Sequence, residues 1–214
     1  MIKTIYKNAA KHYKLRKMDS GEFSHFQGRG MKFRVATYKA VNGGSLCLMK
    51  MKGFFGLMKM ETAVFSPIQK DGPLFSMDYI NAFGKQTLFL ELYDTTLSHP
   101  EFEDLIPVKK AYSHLPSYDP GSHWYDSLSL PASDYNQGRK LDTEFKDYVN
   151  EFSKKYFEIL HTCPPCHPAE KKKKNAEYAN GLLENGGPAV NQFVKMIGKE
   201  KTALFLKKYM FGAE

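Results

Sequence analysis

Two strand-like segments carry charged side chains where apolar ones are expected. The first, FGLMKMETAVF (residues 55–65), sets Phe55, Leu57, Lys59, Glu61, Ala63 and Phe65 on one face and Gly56, Met58, Met60, Thr62 and Val64 on the other. Both faces are largely apolar, so cover on both sides is expected, with Lys59 and Glu61 in or beside the core. The second, PLFSMDYI (73–80), places Asp78 on a face with Leu74, Ser76 and Ile80. A carboxylate among such neighbours is costly unless it is paired or protonated. Two outcomes are open. One is a plain ion pair at a sheet edge, Glu61–Lys59 or Asp78 with a lysine. The other is a protonatable carboxyl pair in a pocket, where desolvation raises the pKa and permits proton donation at neutral pH.

A third candidate is HTCPPCH (161–167), with Cys163 and Cys166 flanked by His161 and His167. It fits the haem-attachment spacing, but that chemistry needs export, and the N-terminal segment has no apolar signal core. Zinc would take both cysteines with His161 or His167, although structural zinc usually draws on two separated segments. A redox pair of the thioredoxin kind needs a βαβ unit, and none is visible. The expectation is a Pro-rich loop with two free thiols and no metal.

The elements that must position these residues read as follows. Residues 2–17 form a basic helix. Strands follow at 31–41, 45–53, 55–65, 73–80 and 87–94, joined by short turns such as NGG at 42–44, which suggests an antiparallel meander. Residues 95–122 are loop-rich, with Pro100, Pro107, Pro116 and Pro120, and 124–130 is a sixth strand candidate. Residues 141–160 repeat apolar side chains at helical spacing. A further helix ends at Asn185-Gly186-Gly187, and the segment from Pro188 onward is divided by Gly198. Helices flanking a run of strands argue for an α+β fold, with helices on the faces of a mostly antiparallel sheet.

The chain has 214 residues, enough for one domain with a full core, and that domain is expected to span 1–214. Apolar runs fall short of the ~18 residues a membrane span requires. Three cysteines give no disulfide framework, and cytoplasmic residence is the default. The net charge of +8 favours acidic partners. Nucleic acid is one such partner, but no zinc finger, helix-turn-helix or RNP-type motif accompanies the charge.

The segment GPLFSMDYINAFGKQTLFLELYDTT (72–96) resembles the central region of the ferredoxin-dependent bilin reductases, with Pro73, Leu74, Phe75 and Asp78 in the family's spacing. METAVFSP upstream, WYDSLSLPASD with the 141–160 helix, and the tail FVKMIGKEKTALFLKKYMFG keep the family's order over residues 45–212. The resemblance implies a three-layer α/β/α sandwich around an antiparallel sheet. It implies reduction of a linear tetrapyrrole such as biliverdin by single electrons, with no bound metal or flavin. The electrons come from an external acidic [2Fe–2S] ferredoxin, or a flavodoxin. Asp78 matches the aspartate that protonates the bilin. The family's histidine falls at Glu61, and a glutamate of one member falls near Met49. Glu61 and Asp78 are then expected to share a proton in one pocket between the sheet and the C-terminal helices. Lys59, Met49 and Asn185 are assigned to substrate binding. The chain is expected to act as a monomer without nucleic-acid or membrane partners. A tetrapyrrole carrier without turnover is the alternative, and a basic nucleic-acid-binding protein is the third reading.

Overall fold

The structure is a computed structural model that describes residues 1–98 and 102–214; Pro100 lies outside the described residues. One sheet organises it. Strands β1 (Leu15–Met18), β3 (Met31–Ala40), β4 (Gly44–Gly53), β5 (Met58–Pro67), β6 (Leu74–Ala82), β7 (Lys85–Tyr93) and β8 (Asp134–Gly138) lie side by side in that order, all antiparallel, with β2 (His25–Gly28) also paired to β3. β1 covers the Thr37–Ala40 half of β3 and β2 covers the Met31–Arg34 half, so both short strands share one edge.

Helices cover both faces. α1 (Ile2–His12) and α3 (Asp142–Thr162) pack on one, around Leu46, Phe65, Phe75, Met77 and Leu90. α4 (Pro168–Asn185), α5 (Pro188–Ile197), α6 (Lys199–Leu204) and a π-helical turn, Phe205–Met210, pack on the other, around Val35, Met49, Val64, Leu74 and Tyr93. α2 (Ile106–Ala111) is short and lies beside α3. This is the expected α/β/α sandwich. The packing of α3 follows from its sequence: Phe145, Tyr148, Val149, Phe152, Tyr156, Phe157 and Leu160 recur every three or four residues, and all are buried.

Several boundaries differ from expectation. The strand expected over 55–65 begins only at Met58, because Phe54–Gly56 form a 3₁₀ turn with Phe54 and Phe55 at positive φ. The first helix stops at His12, because Tyr13 turns to extended backbone (φ −132°) and Leu15–Met18 pairs with β3 instead. Residues 124–130 form a loop with one 3₁₀ turn, Asp126–Leu128, tied to the sheet through a single bridge, Tyr93 to Ser129. The last strand is the polar segment Asp134–Gly138, which carries no apolar run to reveal it.

Candidate active site

Antiparallel pairing fixes which side chains share a face. Thr62 stands opposite Asp78, Met49 stands opposite Thr62, and Phe89 and Tyr135 continue the same row. Val64 and Leu74, which alternate with these, belong to the core under α4 and the π-helical turn. Asp78 therefore faces the C-terminal helices, and Met49 lies in its row, buried. Thr62 Oγ1 donates a short hydrogen bond to Asp78 Oδ1. Desolvation pushes the Asp78 carboxyl up to about 6, with the Thr62 bond opposing part of the rise.

Glu61 is one position away and so points to the opposite face. There it accepts hydrogen bonds from the Met1 amine at 2.7 Å and the Ile2 backbone N–H at 3.1 Å, and Lys50 Nζ lies 2.8 Å from its other oxygen. Burial alone would raise its pKa. The Lys50, amine and Ile2 bonds outweigh that and hold it at about 2. The expectation that Glu61 and Asp78 share a proton is thus corrected: the sheet separates them, and Glu61 is ionised. On β5, a residue that shares a face with Asp78 is even-numbered, so the position opposite Asp78 is Thr62 rather than Glu61. Lys59 is exposed on the Glu61 face and is not brought to Asp78. Asn185, exposed at the end of α4, donates to the Gly181 carbonyl of its own helix.

Glu61 contributes to stability instead. Its folded pKa is depressed from 4.5, so the contribution is complete above about pH 4.5 and lost as pH falls toward 2. Glu61→Gln should lower the melting temperature at pH 7 and flatten its fall between pH 5 and 3, measured by circular dichroism. A variant whose melting curve tracks the parent across that range would remove Glu61 from this role.

The second carboxyl at the site is Glu91. It lies on β7 opposite Ser76, on the Asp78 face, and is 9% exposed. Desolvation, reinforced by the nearby Asp78 charge, raises it to about 8, while hydrogen bonds with Tyr93 and Tyr135 offset part of the rise. The two carboxyls titrate as a pair that still carries a proton near neutral pH. Around them stands an aromatic wall. Tyr93 packs on Tyr178 (ring centroids 4.7 Å) and on Tyr125 (5.5 Å), and Trp124 packs on Tyr178 (5.9 Å). Burial raises all three tyrosine hydroxyls, so they remain protonated donors. Trp124 sits against Gly181 of α4, where a Cβ would lie 2.3 Å from the indole, and its Nε1 donates to the Gly186 carbonyl. Met60, Asp78, Ile80, Phe89, Tyr135 and Gln137 are half-buried along this face. Between β5 and β8 the sheet thus presents a partly open, apolar and aromatic surface with two protonatable acids. A separate cleft between α2 and β8, lined by Lys109, Ser113 and Asn136, lies elsewhere.

The cysteine segment serves the fold. Cys163 ends α3 and is buried, and Cys166 lies before α4 with its thiol 3.6 Å from the Ile68 carbonyl. Backbone bonds from Asp71 to Pro164 and from Cys166 to Gln69 fasten this loop to residues 68–72. Burial raises both thiols, so they are poor nucleophiles. Among the described residues, no group of three or more histidine, cysteine or carboxylate side chains is arranged to hold a metal. Nor is any helix there long and apolar enough to cross a membrane.

No known protein family's sequence profile matches the chain, and no curated protein sequence does. Among solved structures, the chain is similar to a phytochromobilin synthase from tomato crystallised in complex with biliverdin. The two align with a TM-score of 0.82 over 99% of this chain and 82% of the synthase, at 13% sequence identity, so the chain has the fold of that synthase.

Proposed function

We propose that this protein reduces a linear tetrapyrrole, with Asp78 and Glu91 supplying protons on the sheet face under the C-terminal helices. The observation that carries the reading is the Asp78–Thr62–Glu91 arrangement: two buried-side carboxyls held protonatable near neutral pH, beside an aromatic wall. The shared fold with a synthase crystallised with biliverdin supports the choice of substrate class. Electrons come one at a time from an external iron–sulfur ferredoxin or a flavodoxin, attracted by the net charge of +8. Each two-electron reduction of a bilin double bond consumes two electrons and two protons. The first electron makes a radical anion, and prompt protonation by a positioned acid keeps that step from reversing. A second electron and proton complete the C–H bonds, and solvent reprotonates the carboxyls. The half-buried Tyr125 and Tyr135 offer rings and hydroxyls to the conjugated ligand, and the buried Tyr93 and Tyr178 back them. In this reading the protein works in the cytoplasm as a single-domain monomer and binds no metal or flavin itself.

The test is spectroscopic. Biliverdin added to the purified protein should shift and sharpen its visible absorption, and reduced ferredoxin should then replace the biliverdin bands with those of a reduced bilin. An unchanged spectrum on mixing would overturn the reading. A shift on binding that reduced ferredoxin leaves untouched would make the protein a carrier.

A further inference from the structure

We propose that the end of the sheet formed by the β4–β5 and β6–β7 turns docks the protein onto an anionic lipid surface. The β4–β5 turn carries Phe54, Phe55 and Leu57, which are 50%, 110% and 57% exposed, and the β6–β7 turn carries Phe83 at 62%. Met58 pairs with Ala82, so the two turns are neighbours, and the Phe54 and Phe83 rings lie 6.4 Å apart. These are most of the large apolar side chains exposed among the described residues.

Their backbone makes the exposure more telling. Phe54, Phe55 and Phe83 have φ of 50°, 56° and 53°, a left-handed region where glycine and asparagine are cheap and bulky residues are strained. Each position therefore carries two penalties, strain and an apolar ring in water, and within the chain only the Phe54–Phe83 ring contact offsets part of the second. A surface that accepts the rings offsets both.

Charge identifies that surface. Lys32, Lys52 and Lys59 stand directly opposite one another across β3, β4 and β5, one step behind the turns, and all are exposed. Like charges in adjacent strands repel. None of the three has an ion-pair partner among the described residues. Lys85 and Arg139, both exposed, stand at the same end of β7 and just past β8. No Asp or Glu occurs between residues 23 and 60, or between 79 and 90, so the β3–β5 segments and the β6–β7 turn that build this end are acid-free, and Asp142, past Arg139, is engaged by Tyr79 and Gln86.

Apolar tips that project beyond a basic band match a bilayer, where rings enter the interface and lysines meet anionic headgroups. A single strand of nucleic acid stacks on rings set among the basic residues of a groove. Here the rings lie beyond the lysines, and Leu57 offers no ring face. The contact rests on a bilayer rather than crossing it; an expectation drawn from the length of apolar runs does not reach exposed turns.

The experiment is flotation of the full chain with vesicles of phosphatidylcholine alone and of phosphatidylcholine with about 30% phosphatidylserine, whose negative surface attracts basic segments. Binding is expected to the mixed vesicles, weak or none to the neutral ones, and weaker as salt rises. Phe55→Asn with Phe83→Asn should weaken binding by about 10-fold or more while leaving the melting temperature unchanged or raised, since asparagine is tolerated at the positive φ of both positions. Lys32→Gln, Lys52→Gln and Lys59→Gln together should weaken it to a similar degree. No binding of the parent protein to mixed vesicles at low salt overturns the proposal. So does binding that survives loss of both rings, or a parent protein that binds a polythymidine strand or an acidic protein through these same residues while ignoring the vesicles.

Discussion

Asp78→Asn should fold normally, bind a bilin, and lose turnover by about 10²–10⁴-fold, the usual worth of a positioned general acid. Asparagine keeps the shape and can still accept the Thr62 hydrogen bond, but it has no proton to give. Stability should move the other way. The Asp78 pKa is raised from 3.8 to about 6, so the parent protein loses stability as pH rises across that window and gains none back above it. The asparagine variant escapes that loss and should melt at an equal or higher temperature at pH 8. If Asp78 were only a packing residue, the variant would change its melting temperature and keep its turnover per folded molecule. A stalled radical in the variant, seen by electron paramagnetic resonance, would locate the failure at the proton step. Full turnover in a well-folded variant would remove Asp78 from the mechanism.

Glu91 refines the same experiment. With two acids on one face, the pair gives up its last proton near the upper pKa, about 8, and turnover should fall above that pH. Glu91→Gln leaves only Asp78, at about 6, so the alkaline limb of the pH profile should move down toward that value. A limb that stays in place would mean that Glu91 does not hold the working proton.

The sheet was legible because its strands are consecutive, short-turned and apolar on alternate positions, which antiparallel neighbours require. Its two ends were less so. β1 and β8 are edge strands that bury little, so LRKM and DYNQG carry no apolar signature. Asp78 stood out as a carboxylate in an apolar strand. Glu91 carries the same signal in TLFLELYD, alternating with Phe89 and Tyr93 while Leu88, Leu90 and Leu92 take the other face, but a lone carboxylate between such residues reads equally well as an edge position. Glu61 failed for a geometric reason. Whether residues on β5 and β6 share a face depends on the register, which the connection from Ile68 to Pro73 sets, and a slip of one residue exchanges the faces. Strand periodicity alone does not supply that register. Nor does any local pattern show that an amine 60 positions away would meet the carboxylate.

The lysine run at 171–174 misleads in the same way, and its first member carries the largest stability prediction. Lys171 reads as one of four solvated lysines, yet it is 0% exposed. Its Nζ donates to the Gly72 carbonyl at 2.7 Å and the Thr95 carbonyl at 2.5 Å, with Asp71 Oδ1 at 3.6 Å. Asp71 in turn accepts the Leu97 and Ser98 backbone N–H groups and the Ser98 hydroxyl. One ammonium thus fastens α4 to the connection before β6 and to the one after β7. Burial lowers its pKa, and the Asp71 charge opposes that shift. Lys171→Met keeps an unbranched apolar stem, one atom shorter, but leaves two buried carbonyls and a buried carboxylate short of a donor. Breaking such a pair costs about 3–5 kcal/mol, a large share of the ~5–15 kcal/mol that holds a typical domain folded. The melting temperature should drop by about 10 °C. Lys173→Met, two positions on and so on the outer side of α4, is exposed and should shift it by no more than a degree or two, since exposed lysines contribute within about 0.5 kcal/mol. Lys171→Arg should also destabilise, because the larger guanidinium does not fit a closed site built for an ammonium. Equal melting temperatures for Lys171→Met and Lys173→Met would show that the buried ammonium does not hold these connections together.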